Sequence, residues 1–95
     1  MKIVDNAAEL RFEAETEAGL AYLDYKRRGR QLILVHTHVP DALRGMGIGG
    51  ELVRASIDAA QSGDLSVLPQ CSFARSWLAT HPDAAATIQV DWQGE

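Results

Sequence analysis

Four glycines, Gly45, Gly47, Gly49 and Gly50, fall within six positions of the run V-P-D-A-L-R-G-M-G-I-G-G at residues 39–50. Glycine lacks a Cβ, so it enters the φ > 0 region freely and lets backbone approach a ligand closely. A strand-like run precedes these glycines and a helix-like run follows them. The first N–H groups of a helix have no intrahelical partner, and the helix dipole adds partial positive charge there. Strand, glycine turn and helix together make a candidate phosphate site, or else a tight turn that needs glycine for its shape alone. Near this loop in sequence lie His36 and His38, each able to serve as a general base because imidazole titrates near neutrality. Either could instead pack against its neighbours and bond a backbone carbonyl. Cys71 precedes a second helix-like run, and a helix start favours the thiolate. It reads as a nucleophile, as an acid, or as a small buried residue.

Three glycine patterns compete for the loop. Gly45, Gly47 and Gly50 spell G-x-G-x-x-G, with Asp64 near the place of a ribose-binding acid. That pattern belongs to the first turn of a parallel, doubly wound sheet, whereas here two strand-like runs joined by a hairpin come first. A P-loop ends in G-K-[ST]; this loop ends Gly49-Gly50-Glu51 and has no lysine. The third pattern is R-x-x-G-x-G, read on Arg44, Gly47 and Gly49.

The elements that must position these residues are legible in outline. Residues 10–15 alternate, with Leu10, Phe12 and Ala14 on one side and Arg11, Glu13 and Glu15 on the other. Residues 16–19 are a turn, residues 20–26 a second strand, and residues 27–30 a basic hairpin loop. Residues 31–39 are the most apolar strand, which completes an antiparallel meander. Period two places His36 and His38 on the side of Leu32 and Leu34, with Thr37 opposite. Ile48, Leu52, Val53, Ile57 and Ala60 mark one face of a helix that Ser62, Gly63 and Asp64 stop, Gly63 as a left-handed cap. Residues 65–68 are a short buried strand, reached by a right-handed crossover and so parallel to the third. A helix over residues 72–80 ends at His81-Pro82. Residues 83–95 hold a helical turn and a final strand over 88–92. The expected class is α+β, loosely α/β/α layered: a three-strand meander, a parallel fourth strand and two main helices, in one domain over residues 1–95.

The R-x-x-G-x-G pattern, set after an antiparallel strand and opening an amphipathic helix, resembles the acyl-coenzyme A loop of the GNAT N-acetyltransferase superfamily. The ordered segments His36-Thr37-His38-Val39-Pro40, Leu43 to Gly49, Pro69-Gln70-Cys71-Ser72-Phe73, Trp77 and His81-Pro82 look like the short, stand-alone branch of that superfamily. The resemblance implies that acetyl-coenzyme A is co-substrate, that no metal takes part, and that the acyl group passes directly to an amine. It implies a pyrophosphate on the amides of Gly45, Met46, Gly47, Ile48, Gly49 and Gly50, with Arg44 adding charge. It also implies a pantetheine arm along His38 and Val39, in the gap where two strands splay, near a bulge. Longer members carry a tyrosine acid in the helix after the splayed strands. Here the nearest positions are Trp77 and Leu78, which leaves Cys71 as the substitute acid beside His36 as base. The competing functions are a coenzyme A-binding module with weak or no transferase activity, and a small interaction domain that uses the basic hairpin of Lys26, Arg27, Arg28 and Arg30.

Composition narrows the classes. The chain has 95 residues, enough for one modest core, and a net charge of −4 with pI near 5.2, which argues against nonspecific nucleic-acid binding. No apolar run is long enough to span a membrane, and the first residues lack the apolar region of a signal peptide. One cysteine excludes an internal disulfide and suits a reducing, cytoplasmic setting. The expected partner is a small-molecule or protein amine acceptor, with no nucleic acid and no membrane, for a monomeric protein.

Overall fold

The computed structural model describes residues 2–93. Five strands form one sheet in chain order: β1 (Val4–Asn6), β2 (Arg11–Thr16), β3 (Gly19–Arg28), β4 (Gln31–His38) and β5 (Ser66–Pro69). The first four pair antiparallel, and β5 lies parallel to β4. A 3-10 turn (Asp41–Leu43) and helix α1 (Ile48–Gly63) cross from β4 to β5. Helices α2 (Ser72–Thr80) and α3 (Pro82–Ala85) follow. The α+β class and the meander with a parallel addition hold. The sheet has one strand more than expected, because β1 has only three residues, mostly exposed, with no alternation to reveal it.

The core forms where the patterns agree. Phe12 and Ala14 of β2, with Ala21, Leu23 and Tyr25 of β3, face the apolar stripe of α1: Ile48, Leu52, Val53, Ile57 and Ala60. All five stripe residues are buried, as a 3.6-residue period requires. Val67 of β5, and Ala74 and Leu78 of α2, close the same cluster. Tyr25 donates its hydroxyl to the Asp5 carboxylate at 2.6 Å, which ties the edge strand β1 to the centre of the sheet. Burial, and then that bond, push the Tyr25 phenol up to about 12.

Three local expectations need correction. Leu10 is not part of β2: it is 45% exposed and takes φ 57, with its carbonyl accepting from the Tyr25 N–H. Gly63 stays helical, and Asp64 takes the left-handed position, its N–H bonding back to Ala60 and Gln61. The expected final strand is one parallel bridge between Val67 and Val90. No helix among the described residues is long and apolar enough to cross a membrane.

Candidate functional site

The glycine loop ends in a helix start built without a side-chain cap. Gly47 is the N-cap of α1, at φ 85, and it has no side chain with which to occupy the first amides. An L-residue at that φ would be strained, so glycine is required by the backbone itself. The Glu51 N–H already bonds to the Gly47 carbonyl, so the unspent amides of the first turn are those of Ile48, Gly49 and Gly50. The Met46 amide is committed to the Leu43 carbonyl, and the Met46 side chain is 68% exposed. The set of amides free of a backbone partner at the helix start is therefore narrower than the whole run from Gly45 to Gly50. Arg44 stands beside it, in an ion pair with Asp41 at 3.2 Å; both side chains are largely exposed, so the pair adds little stability.

These amides open onto a cleft of about 660 Å³, a size suited to a small-molecule ligand. Val39, Arg44, Gly45, Gly47, Ile48, Gly49 and Gly50 of the expected binding set line it; His38 and Met46 do not. The opposite wall is one side of α2 and its end: Phe73, Trp77 and His81. Gly49 and Gly50 explain how α2 comes so near. A Cβ on Gly49 would meet the Phe73 ring at 2.8 Å, and one on Gly50 would meet Trp77 Nε1 at 2.5 Å. These two glycines thus allow the close approach of a helix. Trp77, a residue type that ordinarily fills the core, is half-buried: His81 stacks on its ring at 3.8 Å, and the Arg54 guanidinium lies 5.1 Å from the ring centre. In the sequence His81-Pro82 reads as a helix stop and as one segment of the resemblance, without a site role, and Arg54 stands out in neither way. Their signal was spacing, since Arg54 follows Gly50 by one helical turn.

A bulge decides where the histidines point. Asp24 pairs with His36 but Tyr25 pairs with Leu34, so Val35 is an extra residue in β4. Paired residues share a face of the sheet. Thr37, opposite Leu23, therefore joins Leu34 on the helix-covered face. His36 and His38, opposite Asp24 and Tyr22, are on the other face. The expectation that the histidines share a face with Leu32 and Leu34 is reversed, because one inserted residue inverts a period-two pattern. On that second face the Tyr22 ring lies 6.3 Å from His36 and 5.2 Å from His38. Arg11 covers Tyr22 at 5.0 Å and bonds Glu13 at 2.5 Å, a bond that holds the Glu13 carboxyl below its ordinary range.

The bulge also sits where the strands part. Pairing of β4 with β5 ends at Leu34 and Pro69, while β4 continues to His38. The Cys71 N–H closes the fork by bonding the Leu34 carbonyl at 2.9 Å. Cys71 is buried and is the N-cap of α2; its Sγ lies 3.2 Å from Thr37 Oγ1. Thr37 lines the cleft and Cys71 does not, so the thiol stands one hydroxyl behind the cleft wall. Among the described residues no group of three or more His, Cys, Asp or Glu side chains is placed to hold a metal.

Comparison with known proteins agrees with this geometry. Residues 11–87 match the model of the GCN5-related N-acetyl-transferase family. Over 63 residues the chain is 35% identical to Protein NATD1 of Gallus gallus, covering 65% of this chain and 57% of that protein. Protein NATD1 of Homo sapiens gives the same identity over 63 residues and 56% of its length. The chain thus spans little more than half the length of these relatives. The solution structure of a GCN5-like protein from Staphylococcus aureus superposes with a TM-score of 0.74 at 24% identity, covering 96% of this chain and 90% of that one. At that identity the likeness speaks for the fold. Sequence motif, family model and architecture converge, and the chain belongs to the GCN5-related N-acetyltransferase family.

Proposed function

We propose that the protein binds acetyl-coenzyme A and transfers its acetyl group directly to an amine. The observation that carries this reading is the uncapped, glycine-led start of α1 opening onto a cleft that reaches the fork between β4 and β5. A pyrophosphate would take the amides of Ile48, Gly49 and Gly50, assisted by Gly45, Gly47 and Arg44. The pantetheine arm would run past Val39 to the fork. There the backbone of the bulged strand can support the developing oxyanion.

In this reading the two faces of β4 divide the chemistry. The thioester enters from the Thr37 face, and the amine approaches from the face of Tyr22, His36 and His38. His36, with Asp24 opposite it, takes the proton from the attacking amine. The carbonyl carbon gains the C–N bond and loses the C–S bond, and the departing thiolate needs a proton. Cys71, whose Sγ lies 3.2 Å from Thr37 Oγ1, would supply it through that hydroxyl. Its burial disfavours a role as nucleophile, so transfer is sequential rather than through an acyl-enzyme. The acceptor is a small-molecule or protein amine, met by a cytoplasmic, monomeric protein.

One observation favours the alternative of a coenzyme A-binding module with weak turnover: Phe73 and Trp77, on the cleft side of α2, cannot protonate a thiolate. Acetyl-coenzyme A turnover against a panel of amines, followed by thiol release, separates the two. Amine-dependent release supports the transferase; tight coenzyme A binding with no release supports the module. Absence of coenzyme A binding removes both.

A further inference from the structure

The cleft extends along α2 past the glycine loop to Arg54, Trp77 and His81. Helix α2 lies along the cleft, with Cys71 at its start, behind Thr37, and His81 at its end. Ten residues of helix separate the two by about 15 Å, at 1.5 Å per residue. If the thioester lies at the Thr37 end and the pyrophosphate at Gly50, the nucleotide end of the ligand falls beside Arg54, Trp77 and His81.

These three side chains are arranged for an anion. Arg54 lines the cleft one turn beyond Gly50, exposed, with its guanidinium over the Trp77 ring. Among the described residues no carboxylate forms an ion pair with it. His81 Nδ1 lies 2.7 Å from the Trp77 carbonyl, which can only accept, so Nδ1 carries the hydrogen. Nε2 is left for a ligand, and on protonation it becomes a second donor. Trp77 holds both groups in place, its indole N–H side packed against Gly50. Glu51 lies on the same rim. It repels phosphate, so recognition there depends on directed donors and not on a broad positive field.

Resting on the coenzyme A reading, we infer that Arg54 and His81, braced by Trp77, bind the 3′-phosphate of the adenosine moiety and make the protein selective for coenzyme A over its 3′-dephospho form. A phosphomonoester offers three acceptor oxygens. The planar guanidinium fork, with the Nε2–H that a protonated His81 presents, matches them.

Calorimetric titration of the whole chain with coenzyme A and with 3′-dephospho-coenzyme A tests this. The wild type should bind coenzyme A about tenfold more tightly, a difference of about 1.4 kcal/mol. Arg54→Gln should bring that ratio close to one by weakening coenzyme A alone, and His81→Gln should reduce it several-fold. The ratio guards against misfolding, which would weaken both ligands together. Equal affinities in the wild type, or a ratio that survives in both variants, overturn the subsite while leaving the coenzyme A reading intact. Failure of both ligands to bind the wild type overturns that reading, and the subsite with it.

Discussion

Replacing Gly50 with alanine sets helix propensity against the packing of the site. Alanine in a helix interior is favoured over glycine by about 1 kcal/mol. At Gly50, however, the new Cβ would lie 2.5 Å from Trp77 Nε1 and 3.2 Å from Cδ1. Non-bonded heavy atoms rest near ~3.5 Å, so the indole must move by about 1 Å. It cannot move alone, because it is stacked on His81 at 3.8 Å and lies under Arg54 at 5.1 Å. Overpacking of this kind costs about 1–3 kcal/mol. The expected net change is a loss of about 0–2 kcal/mol. Gly63→Ala in the same helix is the control. Its Cβ meets Leu65 Cγ at 3.5 Å, an ordinary contact, so this variant should gain about 0.5–1 kcal/mol. Urea denaturation reads both changes. Coenzyme A affinity should fall about tenfold or more in Gly50→Ala and stay unchanged in Gly63→Ala. If Gly50→Ala is as stabilising as the control and binds coenzyme A like the wild type, the packing of α2 on the loop is not as argued.

Three further outcomes follow from the geometry. His36→Ala should lower turnover by about 10²-fold or more while leaving coenzyme A affinity in place; wild-type turnover across pH would remove the histidine from the reaction. Cys71→Ser should reduce turnover and retain coenzyme A binding. Intact-mass measurement after incubation with acetyl-coenzyme A alone should show no adduct, and an acetyl group discharged by amine would establish a nucleophile instead. The Tyr25 phenol keeps its proton in the folded state up to about 12, against 10.0 ordinarily, so the folded protein holds more protons than the unfolded chain between those values. Stability should therefore be undiminished below pH 10 and fall as pH rises toward 12. Tyr25→Phe should lack that fall; an equal fall in this variant would assign it to another group.

The sequence made the loop legible because glycine spacing, a preceding strand and a following apolar stripe all point to one arrangement. The bounds of α2 and the buried face of α1 were legible for the same reason: periodicity and burial agree there. The faces of β4 were not. The inserted Val35 has no compositional mark, yet it moves Thr37 to the cleft side and His36 to the other. Trp77 reads as core by residue type alone, and only the glycines opposite it, at positions 49 and 50, explain why it reaches the cleft. Strand β1 is held by a short-range pairing with β2 and by the Tyr25–Asp5 bond, which spans twenty residues, and its own three residues carry no alternation to announce either. Asp64 in place of Gly63 as the left-handed residue is a one-position shift, tolerated because Asp enters that region more readily than most residues.

The central claim is that the unspent amides at the start of α1 receive the pyrophosphate of coenzyme A. Amide-resolved NMR titration of the isotopically labelled protein with coenzyme A addresses it directly. The account predicts saturable shifts largest at Gly45, Gly47, Ile48, Gly49 and Gly50, with Arg44, Thr37 and Val39 following and the hairpin at Arg28–Gly29 unmoved. No saturable shift in the loop, or shifts confined to the hairpin or to the open face around Tyr22, would contradict it.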